Sequence, residues 1–282
     1  MQRIVSILLS LRAKRSNPVL LKMDCRVVSL LAMTAWIFIP PAIAAEPTLP
    51  TVTVMADHSL GPVVSEIARN YSREKKATVN TSFAPQKIQQ DQISEGASAD
   101  ILITSKGEWI DELKLQGLID IHSQTRLARD RLALIGPADT QVVSTGAGRF
   151  PTVAIIKAGS GEPVFVLGNP EFLMEGAYAK EALRSLGAAE DLETYTLYIK
   201  RMDEMLDMVS AQNAYGICFY SSIAARSDIK VIDILPEASH KPIIYQAVVI
   251  ASDNMDEARN FLEYLKSNEV AKILGRYKLL VD

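Results

Sequence analysis

The chain has 282 residues, 48% apolar and 22% charged, which is enough non-polar material for one large core or two modest ones. Gly and Pro are not abundant, no long charge block occurs and no period of about 20 to 50 residues recurs, so collagen-like, disordered and solenoid architectures are excluded. Residues 1–44 hold six basic side chains and one acid, leaving 24 basic and 32 acidic residues beyond them, a formal charge of −8. A body that acidic, with no basic stripe interleaved with aromatics, is not built to neutralise nucleic-acid phosphates.

At the N-terminus, Val27 to Ile39 is an uncharged apolar run preceded by Lys22 and Arg26 and followed by Pro40-Pro41-Ala42-Ile43-Ala44-Ala45. This is the layout of a secretory signal peptide over 1–44, cleaved after Ala44, with Met23 read as the true start and a periplasmic destination. Retention as a membrane anchor is the alternative, but the uncharged stretch is slightly short of the roughly 20 residues a span requires and ends in a Pro pair. Cys218 is the one cysteine of the mature chain. A single thiol forms no internal disulfide, and no Cys/His cluster has zinc-site spacing, so neither a metal nor a cofactor is expected.

Thr51 to Met55 reads as a buried strand, with Ala56 to Ser59 as a loop and Ser59 as the N-cap of a helix whose apolar stripe is Leu60, Val64, Ile67, Ala68 and Tyr71. The unit repeats as strand Thr78–Phe83, helix Pro85–Glu95, strand Ala99–Thr104 and helix Glu108–Gln116. Leu132–Ile135 is a further strand, and residues 136–163 read as a lobe boundary with an irregular insertion. A second alternating block follows: Val164–Leu167, a helix from Tyr178 to Leu186, a helix from Asp203 to Gln212, and strands Gly216–Tyr220 and Ile229–Leu235. Ile243–Ile250 then carries the chain back to the first lobe, and the C-terminus is helical. Alternation at this pitch requires crossover connections and mostly parallel sheets flanked by helices. Ligands of such sheets sit beyond the carboxyl ends of the strands, against helix N-termini.

From Thr51 onward the chain resembles the periplasmic molybdate-binding proteins of ABC importers. The resemblance rests on GNPEFLMEGAYAKEALRSLG (Gly168 to Gly187), similar to that family's G-D-P-x-x-x-P-A-G-x-Y-A-K-E-A-L stretch. It rests also on ADILIT followed by Trp109, on PEASHK (Pro236 to Lys241) and on EYLKSNEVAKILGRY near the end. It implies an α/β, two-lobed, type II periplasmic-binding-protein fold with two crossover strands, in which 45–131 and 246–282 form lobe 1 and 132–245 lobe 2. The implied function is capture of an oxyanion such as molybdate or tungstate by a monomer that delivers it to an ABC permease with a cytoplasmic ATPase.

In that family a tetrahedral dianion is held by neutral donors: two serines, two backbone N–H groups at helix starts, and a tyrosine. The resemblance carries these to Ser59, Gln86, Glu175, Met202 and Phe219, with Tyr220 one place beyond the last. Only Ser59 retains the family's residue. His58 and Lys87 are expected on neighbouring cleft loops. Backbone N–H groups survive side-chain changes, and helix N-termini bind anions without a full positive charge. Glu175 is the discordant position, because a carboxylate 4 Å from a single anionic charge is repelled by about 4 kcal/mol at an effective dielectric near 20. Either it points outward, or Lys87 or His58 neutralises it, or the ligand is a zwitterionic, hydroxylated or cationic solute.

Asp57, His58 and Ser59 contain the residue types of a catalytic triad, but three consecutive residues do not form the relay such chemistry needs. No nucleophile elbow, zinc-protease, phosphate-loop or dinucleotide motif occurs, so no enzyme is expected. A receptor for a membrane sensor would carry the same fold, and residue patterns do not separate it from an importer component.

Overall fold

The protein is described by a computed structural model covering residues 49–281 apart from 76, 85, 145–149, 159–163 and 212–213, and for Gln86 and Lys87 by the backbone alone. The signal-peptide reading of 1–44 lies outside the described residues.

Five strands of the first sheet take the order β2-β1-β3-β10-β4. They are β1 (Thr51–Asp57), β2 (Thr78–Ala84), β3 (Ile101–Thr104), β4 (Thr125–Asp130) and β10 (Ile243–Val249), with helices α1 (Gly61–Lys75), α2 (Gln86–Ser94) and α3 (Gly107–Leu115) as crossovers. The second sheet has the order β7-β6-β8-β5-β9. It is formed by β5 (Leu132–Pro137), β6 (Phe165–Gly168), β7 (Thr196–Ile199), β8 (Tyr215–Phe219) and β9 (Ile229–Ile234), with helices α4 (Thr152–Ala158), α5 (Met174–Ser185), α6 (Ala189–Glu193) and α7 (Met202–Ala211). Helices α8 (Met255–Leu265) and α9 (Asn268–Arg276) close the chain.

Each sheet is mixed. In the first, β10 runs antiparallel to both β3 and β4 while β1 pairs in parallel with β2 and β3. In the second, β5 opposes β8 and β9, and β6 is parallel to β7 and β8. One strand per sheet therefore runs against the other four, and these are the strands that follow the two passages of the chain between sheets. The first passage is the single residue Arg131; the second spans 235–242. Backbone bonds pin both: Tyr220 N–H donates to Arg131 O at 2.8 Å and Leu235 N–H to Leu132 O at 2.8 Å.

Strands that are fully buried read as continuous apolar runs, as expected for parallel sheets covered on both faces. Ile101–Thr104 and Phe165–Gly168 are buried at every position. Helix α1 buries Val63, Val64, Ile67, Ala68 and Tyr71 along one stripe, which is the amphipathic pattern of a helix laid on a sheet. The insertion at 136–163 is less irregular than its Pro and Gly suggest, since α4 forms within it.

Near Ser59 the local structure differs from the expectation. Strand β1 continues to Asp57, and the next three residues form a 3-10 turn, His58–Leu60, before α1 opens at Gly61. Ser59 is therefore not an N-cap; its hydroxyl is 2.9 Å from the Tyr245 hydroxyl on β10.

The Gly168/Gly176 pair has a steric cause. A Cβ on Gly176 would lie 1.9 Å from the carbonyl oxygen of Gly168, backbone that has no side-chain freedom to yield. The first turn of α5 thus sits directly on the end of β6. Gly176→Ala is expected to destabilise the protein by at least ~2 kcal/mol, toward the upper end of overpacking costs, measured as a lower urea midpoint with an unchanged slope.

Candidate functional site

Where β1, β2 and β3 end, at Asp57, Ala84 and Thr104, the chain turns into helices, and these turns form one wall of a cleft of about 290 Å³. This wall includes Asp57, His58, Ser59, Ala84, Ile88, Lys106 and Trp109; the facing wall is the continuous segment Pro170–Glu175, the approach to α5 and its first turn. The cleft thus lies at the carboxyl ends of parallel strands, where open α/β sheets bind their ligands. Leu173, the N-cap of α5, supplies no side-chain acceptor, and Lys106, the N-cap of α3, supplies none either. Both helices therefore begin at the cleft without an N-cap side-chain acceptor, and each brings the positive end of its dipole there; at α5 the N–H of Glu175 is met by its own carboxyl.

Of the residues singled out from sequence, the structure brings Ser59, His58 and Glu175 together on this cleft. Gln86 is the first residue of α2, two places after the lining residue Ala84, and Lys87 follows it. Met202 opens α7 but is only 4% exposed within the core under the second sheet. Phe219, at the end of β8, is 1% exposed, with ring centroids 5.7 Å from Tyr178 and 6.4 Å from Tyr245. Tyr220 lies under the Arg131 guanidinium, 4.9 Å from its ring centroid, a cation–π contact at the first chain passage. Met202, Phe219 and Tyr220 are not among the residues lining the cleft.

Glu175 does not point outward. It is 3% exposed, and among the described residues its Oε1 has no hydrogen-bond partner. Burial pushes its carboxyl up to about 7, opposed by a bond from its own backbone N–H and reinforced by the negative charges of Asp57 and Asp130. Asp130, at the end of β4, is raised to about 6 by burial, against the lowering effect of bonds from the Ser221 hydroxyl and from the Arg131 and Ser221 N–H groups. This carboxyl belongs to the first sheet and Ser221 to the turn after β8, so it ties the two sheets beside the chain passage. Asp57 Oδ2 accepts from the Ser105 N–H at 2.7 Å and hydroxyl at 2.8 Å, which holds the end of β1 against the end of β3.

Tyr245 was not apparent as a site residue. It is fully buried, its ring packs on Phe219 and its hydroxyl meets Ser59. The available signal was a tyrosine in a strand of mostly apolar residues, because a buried phenol hydroxyl requires a polar partner. Among the described residues, no group of three or more His, Cys, Asp or Glu is placed to hold a metal ion, and no helix is long and apolar enough to cross a membrane.

Two mixed sheets around a cleft edged by helix N-termini define a two-lobed solute-capturing protein. Residues 52–277 match the family described as bacterial extracellular solute-binding protein, and the chain belongs to that family. Among curated relatives, the molybdate-binding protein ModA of Escherichia coli is 31% identical over 228 residues, 80% of this chain and 87% of the relative. The ModA of Haemophilus influenzae is 28% identical over 80% of this chain and 88% of its own. Of solved structures, the substrate-binding domain of a putative molybdenum ABC transporter from Clostridium difficile superposes with a TM-score of 0.69 at 24% identity, covering 82% of this chain and 99% of that one. The shared fold is the type II binding-protein arrangement.

A carboxyl raised in the folded state binds its proton more tightly there than in the unfolded chain, so stability falls as pH rises between the two values. Without ligand, the protein should lose stability from about pH 4.5 to 7, with Glu175 contributing at most on the order of 3 kcal/mol. Asp203 and Asp228, whose carboxyls are lowered by Arg201 and Arg226, contribute below this window. Urea unfolding should give a more stable protein at pH 5 than at pH 8, and Glu175→Gln should erase most of the difference.

Proposed function

We propose that this chain is the extracytoplasmic solute-binding component of an ABC importer and that it captures a small oxyanion, molybdate or tungstate in the first instance, between two lobes. The observation that carries the reading is the uncapped first turn of α5 facing the Ser59 turn and the start of α3 across one cleft. Backbone donors and helix dipoles of this kind hold an oxyanion without a buried cation. With Tyr245 donating to the Ser59 oxygen, the Ser59 proton is left to point at the ligand. Gln86 opens α2, so its backbone N–H belongs to a helix start beside the cleft. Relatives named as molybdate-binding at about 30% identity support the same ligand class.

The lobes follow the sheets, dividing at Arg131 and within 235–242, and close by a hinge at these two passages. Ile88 from α2 and Phe172 from the approach to α5, 49% and 42% exposed, both line the cleft. Closure buries them. The partner is a permease with its ATPase, and no step of catalysis is assigned to the cleft. A second reading, a solute carrying its own hydroxyl or ammonium donors, is favoured by the buried carboxyls of Asp57 and Glu175 at the same cleft.

Calorimetric titration with molybdate, tungstate, sulfate and phosphate at pH 6 separates the two. Heat from molybdate or tungstate with a smaller radius of gyration in solution scattering is the expected result, and Ser59→Ala should weaken binding by about 0.5–1.5 kcal/mol. Silence from all four anions, with heat from an amino acid or polyol panel, would replace the oxyanion reading by the second.

A further inference from the structure

We infer that the Glu175 carboxyl is a proton-bearing hydrogen-bond donor to the bound oxyanion, so that the cleft takes up its anion together with one proton. The inference rests on the oxyanion reading above and adds to it the residue that sets its dependence on acidity. Three observations carry it. The side chain stands at the second position of α5, the helix whose first turn forms one wall of the cleft. It is 3% exposed, yet among the described residues Oε1 has no hydrogen-bond partner. An unsatisfied buried oxygen at a ligand cleft is costly without a ligand, and a bound group that completes its hydrogen bonding removes that cost.

The third observation is the charge of its surroundings. Asp57 from the end of β1 and Asp130 from the end of β4 both act on Glu175 through their negative charges. Cys218 on β8 and Tyr245 on β10 are buried neutral groups within the same electrostatic neighbourhood. Tyr178 lies on the same helix, and His58, Lys106 and Glu171 stand around the cleft. Among the described residues none of the cations pairs with Glu175. Ionised, the carboxylate would face an incoming anion as a like charge at short range; protonated, it offers an O–H donor to that anion. Burial keeps that proton on to about pH 7 even before the anion arrives, and a bound anion holds it more tightly still.

The sign follows from linkage. The complex binds one proton more than the free protein at any pH between the free value near 7 and the higher value in the complex. Affinity is therefore level below about pH 7 and falls with rising pH above it, by as much as tenfold per unit for a single coupled proton. Asp130, near 6, titrates below this window.

The test is calorimetric titration of the wild-type protein with molybdate, which carries no proton of its own in this range, from pH 6 to pH 9. Paired buffers of different ionisation enthalpy report the protons taken up. The expected result is a level affinity to about pH 7, then a steep decline with uptake approaching one proton per anion near pH 8. Glu175→Gln, which keeps a donor without a titrating group, should show neither the slope nor the proton uptake, whatever its affinity at pH 6. A flat wild-type profile with binding intact would overturn the inference while leaving the oxyanion reading in place. So would a slope that survives in Glu175→Gln and disappears in His58→Gln. No binding of molybdate, tungstate or sulfate at any pH would remove both.

Discussion

The seam between the two sheets is held by one residue more than any other. Tyr245 is placed by β10 in the first sheet, but its ring packs on Phe219 of the second and its hydroxyl fixes Ser59 at the cleft. The seam continues through Tyr178 on α5 and on to His240, ring against ring. Cores of both sheets merge through it into a single apolar cluster. The cleft can exist because this packing lies at its base, where the ends of β1, β4 and β8 meet, and the helix starts are left to diverge around the opening.

This arrangement accounts for how the site departs from the pattern that the sequence resembles. The tyrosine of that pattern falls at Phe219, which packs as an aromatic core residue, and the phenol nearest the Ser59 turn arrives instead from β10. Met202 likewise opens a helix but spends its side chain on the core beneath the second sheet. Of the positions that would supply a side-chain donor, Phe219 has become structural while Ser59 keeps its hydroxyl at the cleft. Glu175 is an added titratable group where the pattern has none.

Much of the fold was legible because strands buried on both faces are continuous apolar runs: ADILIT, VFVL and IIYQAVVI each became a strand, and Val64, Ile67, Ala68 and Tyr71 lie on the buried stripe of α1. Strands β4 and β7 were not legible. Thr125–Asp130 carries two arginines and an aspartate on an edge strand, and Thr196–Ile199 is a four-residue edge, so neither offers an apolar run or a long alternation. At the cleft, Ser59 and Glu175 were named by the resemblance, but their environment was not legible. Whether an acid is buried, and whether a serine caps a helix or meets a phenol 186 residues away, depends on contacts distant in the chain that local pattern does not encode.

The close approach of Gly176 to the Gly168 carbonyl has a bearing on how such a protein can change what it carries. With no Cβ between them, helix start and strand end are locked in height and register, so the residue immediately before Gly176 is displayed from a mount that does not shift when its side chain is exchanged. A single codon at that place can swap a methyl for a carboxyl, or a carboxyl for an amide, while the amide nitrogens around it stay put. Rigidity in the scaffold thus separates the chemistry displayed at this place from the packing that holds it.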